Sequence, residues 1–373
     1  MAGIYIHIPF CKQACHYCDF HFSTNLSLQN QLINCICKEA QLRKEYLNQE
    51  EITTIYFGGG TPSLLTEAQI ADILNNLHKN NSISKDVEIT LEGNPDDLEL
   101  EFLHILKKNS INRLSIGIQS FHDPFLKYMN RIHNSSDSTN CVRNAQQVGF
   151  NNISVDLIYG IPYKNHEMWM KDLEKVKELN VKHISSYCLT IESGTVFGNQ
   201  KKKGLLVVAD DDFSSNQYQL LLKFLSEYGF EQYEISNFSK PGYISKHNSN
   251  YWKDKPYLGL GPGAHSYDRN SRGNNVSNNP AYIKSISKDN ASFTVEHLSW
   301  KDKANDYILT SLRTTWGCDL SRLENLYQVN SSHFLLPIKK MEGAGLLIIQ
   351  NNVAKLTEKG MLLADSISTE LFV

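Results

Sequence analysis

No window of this 373-residue sequence reaches the roughly 18 uninterrupted apolar residues that a membrane-spanning helix needs, and no basic stretch followed by a long apolar run opens it. The expectation is a chain without signal peptide or transmembrane helix, working in the cytoplasm. Excess positive charge is missing too. Lys and Arg number 37 against 40 Asp and Glu, and the net charge of -3 gives no field that draws a chain onto a phosphate backbone. Nucleic acid is not an expected partner. Neither an internal repeat nor a low-complexity linker is present. With 41% hydrophobic and 21% charged residues, disorder, collagen and coiled coil are excluded. Cysteine is sparse and uneven: eight in all, three of them crowded at 11, 15 and 18. That is not the spread of a secreted disulfide framework, and it points to a reducing compartment and a metal site.

What is present is a regular alternation. Strand-like runs at 4–8, 52–57, 87–92, 112–118, 153–158 and 182–189 are separated by segments with apolar spacing of three and four at 28–47, 66–79, 98–108, 137–148 and 166–179. Six βα units with Ile-, Val- and Leu-rich strands predict an α/β fold whose parallel sheet is covered by helices, with ligand sites at the carboxyl ends of the strands. The unusual clusters obey that placement. The three Cys follow the first strand, Gly58-Gly59-Gly60-Thr61-Pro62 the second, Glu92-Gly93-Asn94-Pro95 the third and Gln119-Ser120-Phe121 the fourth. Asp156 lies within the fifth. After about residue 200 come a helix to about 228 and a Gly-, Pro- and Asn-rich stretch from 236 to 280. Helices at 301–313, 319–327 and 331–342, the hairpin GLLIIQNNVAKLT and a helix at 357–368 then predict a small winged-helix-like domain. The expected division is a core over 1–285, with its barrel in about 1–200, and a C-terminal domain over 286–373.

Cys11, Cys15 and Cys18 put three thiols on a short loop, one short of the four ligands that a closed zinc site or an ordinary cubane takes. His16 or His21 would complete a zinc site, and Cys35 or Cys37 offers a fourth thiol. The glycine run removes Cβ atoms, so that backbone groups approach a ligand closely; a tight turn would want glycine as well.

The cluster spacing, Tyr17 just before the last Cys, and GGGTP on the next unit together resemble the radical S-adenosylmethionine (SAM) superfamily. The resemblance implies a partial (β/α)6 barrel whose three Cys bind a [4Fe-4S] cluster, the fourth iron chelated by the amino and carboxylate groups of SAM. Reduction of the cluster in that family cleaves SAM to a 5'-deoxyadenosyl radical. Gly59, Gly60 and Thr61 match the segment that holds the SAM amino group. Tyr5, Tyr17, Glu92, Gln119, Arg131 and Asp156 match further SAM-site positions of the family. YIHIPFC, FGGGTPS, IQSF, NRIH, DLIYGIP, YEISNF and GLGPGAHSY extend the resemblance over nearly the whole chain, to the coproporphyrinogen dehydrogenase-related group.

That group holds oxygen-independent coproporphyrinogen III dehydrogenases and heme chaperones. The dehydrogenases carry a further Cys two residues after the third, where this chain has Phe20, and an N-terminal extension before the first strand, which here begins at about residue 4. His247-Asn248-Ser249-Asn250-Tyr251-Trp252 matches the HNxxYW motif of the chaperones. The resemblance therefore implies heme as ligand, with His247, Tyr251 and Trp252 as contacts. It implies recipient hemoproteins, such as respiratory cytochromes or oxidases, as partners. Membrane contact through such a partner, and a homodimer, are left open by the sequence. Cys141, Cys188 and Cys318 read as small buried hydrophobes, and Lys201-Lys202-Lys203 as a solvated turn. The winged tail has no dense basic stripe and reads as a lid or docking domain.

Overall fold

The computed structural model describes residues 1–291, 293–329 and 332–373, with the side chain of Leu335 left out. Six strands, β1 (Ala2–Ile8), β2 (Ile52–Gly59), β3 (Ile83–Gly93), β4 (Arg113–Gln119), β5 (Asn152–Tyr159) and β6 (His183–Cys188), alternate with helices α1 (Gln29–Leu42), α2 (Glu67–Asn80), α3 (Leu100–Lys108), α4 (Asp123–Tyr128), α5 (Ser135–Gln147) and α6 (Glu167–Leu179). The strands pair in parallel in chain order, as the βα alternation predicts. In β1, Ile4, Ile6 and Ile8 have no exposure and pack in the main apolar core. Tyr5 and His7, between them, take the other face of the strand and point into the barrel. α2 starts in a Thr66/Gln69 capping box and α5 in an Asn134/Asp137 one, which fixes where each crossover turns back. α1 ends at Leu42, short of the expected 47, and a turn follows with Asn48 and Gln49 at positive φ.

α7 (Val196–Lys202) and α8 (Asp211–Glu227) follow β6. The Gly- and Asn-rich stretch beyond them is not a loop. β7 (Glu231–Glu234) and β8 (Asn237–Ser239) continue the sheet antiparallel past β6. After α9 (Lys246–Trp252), β9 (Tyr257–Leu260) adds to the free edge of β1 in parallel. β10 (His265–Tyr267), β11 (Ser271–Asn275), α10 (Asn279–Ser287) and β12 (Phe293–His297) complete that wing. The sheet therefore has twelve strands, and β12 carries it to residue 297, beyond the boundary expected at 285.

The C-terminal part has a separate apolar core. It contains α11 (Trp300–Leu312), β13 (Cys318–Asp319), α12 (Leu320–Tyr327), α13 (Ser332–Gly343), the hairpin β14 (Leu347–Gln350) and β15 (Val353–Leu356), α14 (Glu358–Met361) and α15 (Ala364–Glu370). Asn351 and Asn352, both at positive φ, make the two-residue hairpin turn. The single last helix expected at 357–368 is two short ones. No helix among the described residues is long and apolar enough to cross a membrane.

One buried ion pair fastens the β9 wing to the barrel. Glu39 of α1 has no exposure and accepts from Arg43 (3.1 Å), Asn275 (2.8 Å), the Tyr282 hydroxyl (2.6 Å) and the Gly261 amide (2.9 Å). Arg43 also donates to Gly259 O and Ser266 Oγ and lies 4.0 Å from the Phe293 ring centroid. Removing one partner of such a pair leaves an uncompensated buried charge, at a cost of roughly 3–5 kcal/mol. Glu39→Ala is expected to lose that much in denaturant unfolding; a loss under about 1 kcal/mol would show that the network does not fasten the wing.

Candidate functional site

The loop after β1 carries Cys11, Cys15 and Cys18, all free and half-buried. It is strapped to the segment after α4 at both ends of its middle. Gln13 Nε2 donates to Asn130 O (2.8 Å), Asn130 Nδ2 donates to Ala14 O (2.8 Å), and the His16 amide donates to Met129 O (3.1 Å). His16 is further tied through Nδ1 to Tyr128 O, and His21 through Nε2 to Asn279 Oδ1.

Each sulfur has a distinct neighbour. Thr61 Oγ1 donates to Cys11 Sγ (3.4 Å), and Arg131 Nη1 donates to Cys15 Sγ (3.4 Å). Burial pushes the Cys18 thiol up to about 11 and raises that of Cys11, where the Thr61 hydrogen bond offsets part of the effect. Among the described residues no three His, Cys, Asp or Glu side chains converge on one ion-sized point. A cubane asks for something else: each thiolate sits on a different iron, and one corner stays open when only three are supplied. Three soft donors on one half-open loop, with a guanidinium and a hydroxyl turned toward sulfur, fit that demand. Cys35 and Cys37 lie on α1, where Cys35 packs in the core, and neither joins the loop.

The glycines bring backbone against this loop. Gly59 has φ +107°, and a Cβ there would run into the His7 ring. A Cβ at Gly60 would stand 2.7 Å from Phe10 O and 2.8 Å from Ile8 O. Gly60 N donates to Ile8 O (2.9 Å), which locks the two loops together.

Below the loop, the inward faces of the strands are polar. Tyr56 donates to Glu92 Oε1 (2.7 Å) and Gly59 N to Glu92 Oε2 (3.2 Å). Burial pushes the Glu92 carboxyl up to about 7, against those two hydrogen bonds. Asp156, reached by Ser115 Oγ (3.3 Å), is pushed up to about 6 by burial. Tyr5 donates to or accepts from His7 Nδ1 (3.1 Å) and lies face to face with Tyr56 at 6.1 Å. Gln119 closes β4 in a left-handed conformation, φ +66°, the kind of strain that gathers at functional sites. Arg131 Nη2 donates to Asn94 Oδ1 (2.7 Å) and Gly117 O (2.8 Å). Tyr17 packs with Phe125, Leu126, Met129, Ile158 and Ile161 in a small apolar cluster at the same end of the barrel.

Sequence reading passed over Arg113. It is 1% exposed, and its Nε and Nη1 have no hydrogen-bond partner among the described residues. Its charge lowers the pKa of both Glu92 and Asp156, so it is their counter-ion across the barrel. The available signal was an arginine at an inward position of a central parallel strand, where an apolar run is the rule.

The His247 segment forms α9 and stands at the other end of the strands. His247 is 2% exposed, with Nδ1 on Thr54 Oγ1 (2.8 Å) and Nε2 on the Tyr251 hydroxyl (2.9 Å), and its amide donates to Glu88 Oε1 (3.0 Å). It stacks on Tyr56 at 4.9 Å, and burial lowers its pKa to about 3. Of the three residues expected to contact heme, His247 thus has both ring nitrogens hydrogen-bonded inside the barrel floor. The segment is not separate from the carboxylate site, since Tyr56 touches His247 and Glu92 alike. Trp252 Nε1 is buried without a partner among the described residues.

Comparison with known proteins agrees with this geometry. Residues 5–176 match the model of the radical SAM superfamily, and 298–363 that of the HemN C-terminal domain. The chain is 34% identical to the heme chaperone HemW of Bacillus subtilis, covering 98% of each chain. It is 33% identical to that of Buchnera aphidicola, covering 100% of this chain and 98% of that one. Among solved structures, the coproporphyrinogen III oxidase HemN of Escherichia coli, described as a radical SAM enzyme, superposes with a TM-score of 0.86 over 100% of this chain and 90% of that one, at 23% identity.

A carboxyl whose folded pKa lies above its ordinary value destabilises the fold once pH exceeds that ordinary value. For Glu92 the penalty starts near 4.5 and is complete above about 7. Ligand-free Glu92→Gln is therefore expected to exceed the parent by about 2 kcal/mol near pH 8, less than the bare shift implies because the interior is partly open. The gap should close by about pH 5 in thermal unfolding; a deficit at the higher pH would contradict the assignment. His247→Ala takes from the Tyr251 hydroxyl its partner and leaves Thr54 Oγ1 only the bond from Asn250 Nδ2 (3.3 Å), and is expected to cost roughly 2–4 kcal/mol in the same measurement. An unchanged melting point would mean that the ring is not a structural plug.

Proposed function

The chain belongs to the family of radical SAM proteins that contains the heme chaperone HemW, and from that premise we propose that it binds heme and passes it to recipient hemoproteins. The single observation that supports this most is the match to heme chaperones over almost the full length of both chains.

Cys11, Cys15 and Cys18 are the proposed ligands of a [4Fe-4S] cluster, and the residues around them suit the task. When bound, such a cluster supplies one-electron chemistry at an open iron that SAM chelates. Arg131 neutralises charge beside Cys15 and holds that sulfur in place. Thr61 does the same for Cys11 by hydrogen bonding. Gly59 and Gly60 let the second loop close on the His7 ring and the Ile8 and Phe10 carbonyls, a fit that no residue with a Cβ would admit, and so bring Thr61 to Cys11. Glu92 and Asp156 are acceptors for hydroxyl or ammonium donors, and Gln119, Tyr5 and Tyr17 complete the wall of the SAM site. His247, Tyr251 and Trp252 are the proposed heme contacts, and His247 also stacks on Tyr56, which in turn holds Glu92.

Recipients among respiratory cytochromes or oxidases, a cytoplasmic location and membrane contact through the recipient complete the proposal. A homodimer is compatible with it and nothing in it depends on one. The alternative, an oxygen-independent coproporphyrinogen III dehydrogenase, has the likeness to HemN behind it, but at 23% identity that likeness speaks for fold alone. Phe20, exposed directly after the Cys loop, stands where the dehydrogenases have a further Cys.

Anaerobic reconstitution is expected to load about four irons and four sulfides per chain, and the Cys11→Ala/Cys15→Ala/Cys18→Ala variant to load none while remaining folded. The reconstituted parent should bind hemin saturably and leave coproporphyrinogen unchanged in the presence of SAM and reductant. Formation of protoporphyrinogen would replace the chaperone by the dehydrogenase. A full cluster in the triple variant would move the metal site elsewhere.

A further inference from the structure

Arg113, the first residue of β4, is 1% exposed, and its Nε and Nη1 have no hydrogen-bond partner among the described residues. Arg43, the other buried arginine among them, has Glu39 at 3.1 Å. Glu92 and Asp156 act on Arg113 only through space, because their hydrogen bonds go elsewhere: Glu92 to Tyr56 and Gly59, Asp156 to Ser115. A buried cation without a bonded partner is costly, and an anion that reached it would remove the cost.

The strand register places this cation immediately above α9. Arg113 pairs with Thr90 on β3 and with Asn152 on β5, and Thr90 pairs in turn with Tyr56 on β2. Ile55, Ile89, Leu114 and Ile153, each adjacent in sequence to one of these four, pack in the apolar core, so the row itself points into the barrel. Thr90 Oγ1 and Asn152 Oδ1 are also buried without a partner among the described residues. One inward row lower, Thr54 pairs with Glu88, and these two residues hold α9. Thr54 Oγ1 meets His247 Nδ1 (2.8 Å), and Glu88 accepts from the amides of Lys246 (3.2 Å) and His247 (3.0 Å). From that level the His247 ring stacks on Tyr56, in the row of Arg113. Burial lowers the pKa of His247 and of His183, and the Arg113 charge lowers both further.

Resting on the heme reading above, we propose that Arg113 is the anion end of the heme site: with His247, Tyr251 and Trp252 against the macrocycle, one propionate enters the barrel and pairs with the Arg113 guanidinium. The group suits the cation. A carboxylate presents two oxygens to the planar fork, which a lysine would meet only as a point charge. Thr90 Oγ1, next to Arg113 in the row, is a further donor at the same level. Heme carries its two propionates on one edge of an otherwise apolar disc, so fixing one of them fixes the orientation in which the macrocycle meets α9.

The test sets two proteins against two ligands. The anaerobically reconstituted chain and its Arg113→Gln variant are each titrated at the Soret band with hemin and with hemin dimethyl ester, which lacks both carboxylates. Iron and sulfide content and thermal unfolding report that the variant is intact. The parent is expected to bind hemin about tenfold more tightly than the ester, and the variant to bind the two ligands alike. An equal loss of both ligands would make Arg113 a structural residue only, and would overturn the proposal. A parent without preference for hemin, or a variant that keeps the parent's preference, would overturn it as well. Should the Gln variant not fold, Arg113→Lys serves the same comparison: it is expected to narrow the preference for hemin, and an undiminished preference would again contradict the assignment. Absence of saturable hemin binding to the parent would overturn the heme reading itself, and the Arg113 site with it.

Discussion

Arg131 sets the geometry on which the rest of the site depends. Its guanidinium reaches Cys15 Sγ on the loop after β1, Asn94 Oδ1 after β3 and Gly117 O within β4, so that one planar cation spans three crossovers. A lysine would provide the charge without the fixed fork. Because the adjoining Asn130 and Met129 backbone also pins the Cys loop, a segment with no regular secondary structure is held as firmly as a strand. Positions of the three sulfurs are thereby decided before any metal arrives. That preorganisation lets a three-thiol loop serve a cluster whose fourth corner must stay open to another ligand.

Beneath that loop the barrel departs from the usual rule for parallel sheets. Its outward faces are aliphatic, but its interior holds Tyr5, Tyr56, Glu92, Arg113, Asp156 and three buried histidines, His7, His183 and His247. The two carboxyls are driven toward neutrality by burial, and Arg113 sits among them with its Nε and Nη1 unpartnered among the described residues. An interior of this kind costs stability in the empty protein, and a ligand that paired these groups would recover it. Marginal groups kept at a functional site are the expected signature of such a trade. Burial, with the Arg113 charge adding to it, holds His247 and His183 toward the uncharged form, and each pairs both ring nitrogens with hydroxyl groups, Thr54 and Tyr251 in one case, Ser154 and Tyr233 in the other.

Much of this was legible in the sequence, for definite reasons. The βα periodicity of 2 and 3.6 repeats over six units, and each chemically odd cluster follows a strand, so the barrel and its mouth could be drawn without coordinates. The strands added at the two edges of the sheet, β7 and β8 past β6 and β9 to β12 past β1, were not legible. They are three to five residues long, with no alternation to read, and β9 joins β1 across some 250 residues of chain. Buried polarity was equally hidden. Arg113 looks like a surface residue in NRLSIGI until the register puts it inside, and nothing in HNSNYW announces that Thr54 and Tyr251 hold the His247 ring.

The most direct test of the central claim, a cluster held at three corners and open at the fourth, is the electron paramagnetic resonance spectrum of the reduced, reconstituted chain with and without SAM. A site of this kind predicts a [4Fe-4S] signal whose g-values shift when SAM is added, because a new ligand reaches one iron. A signal that SAM leaves unchanged would mean that the fourth iron is already taken or out of reach, and would contradict the account.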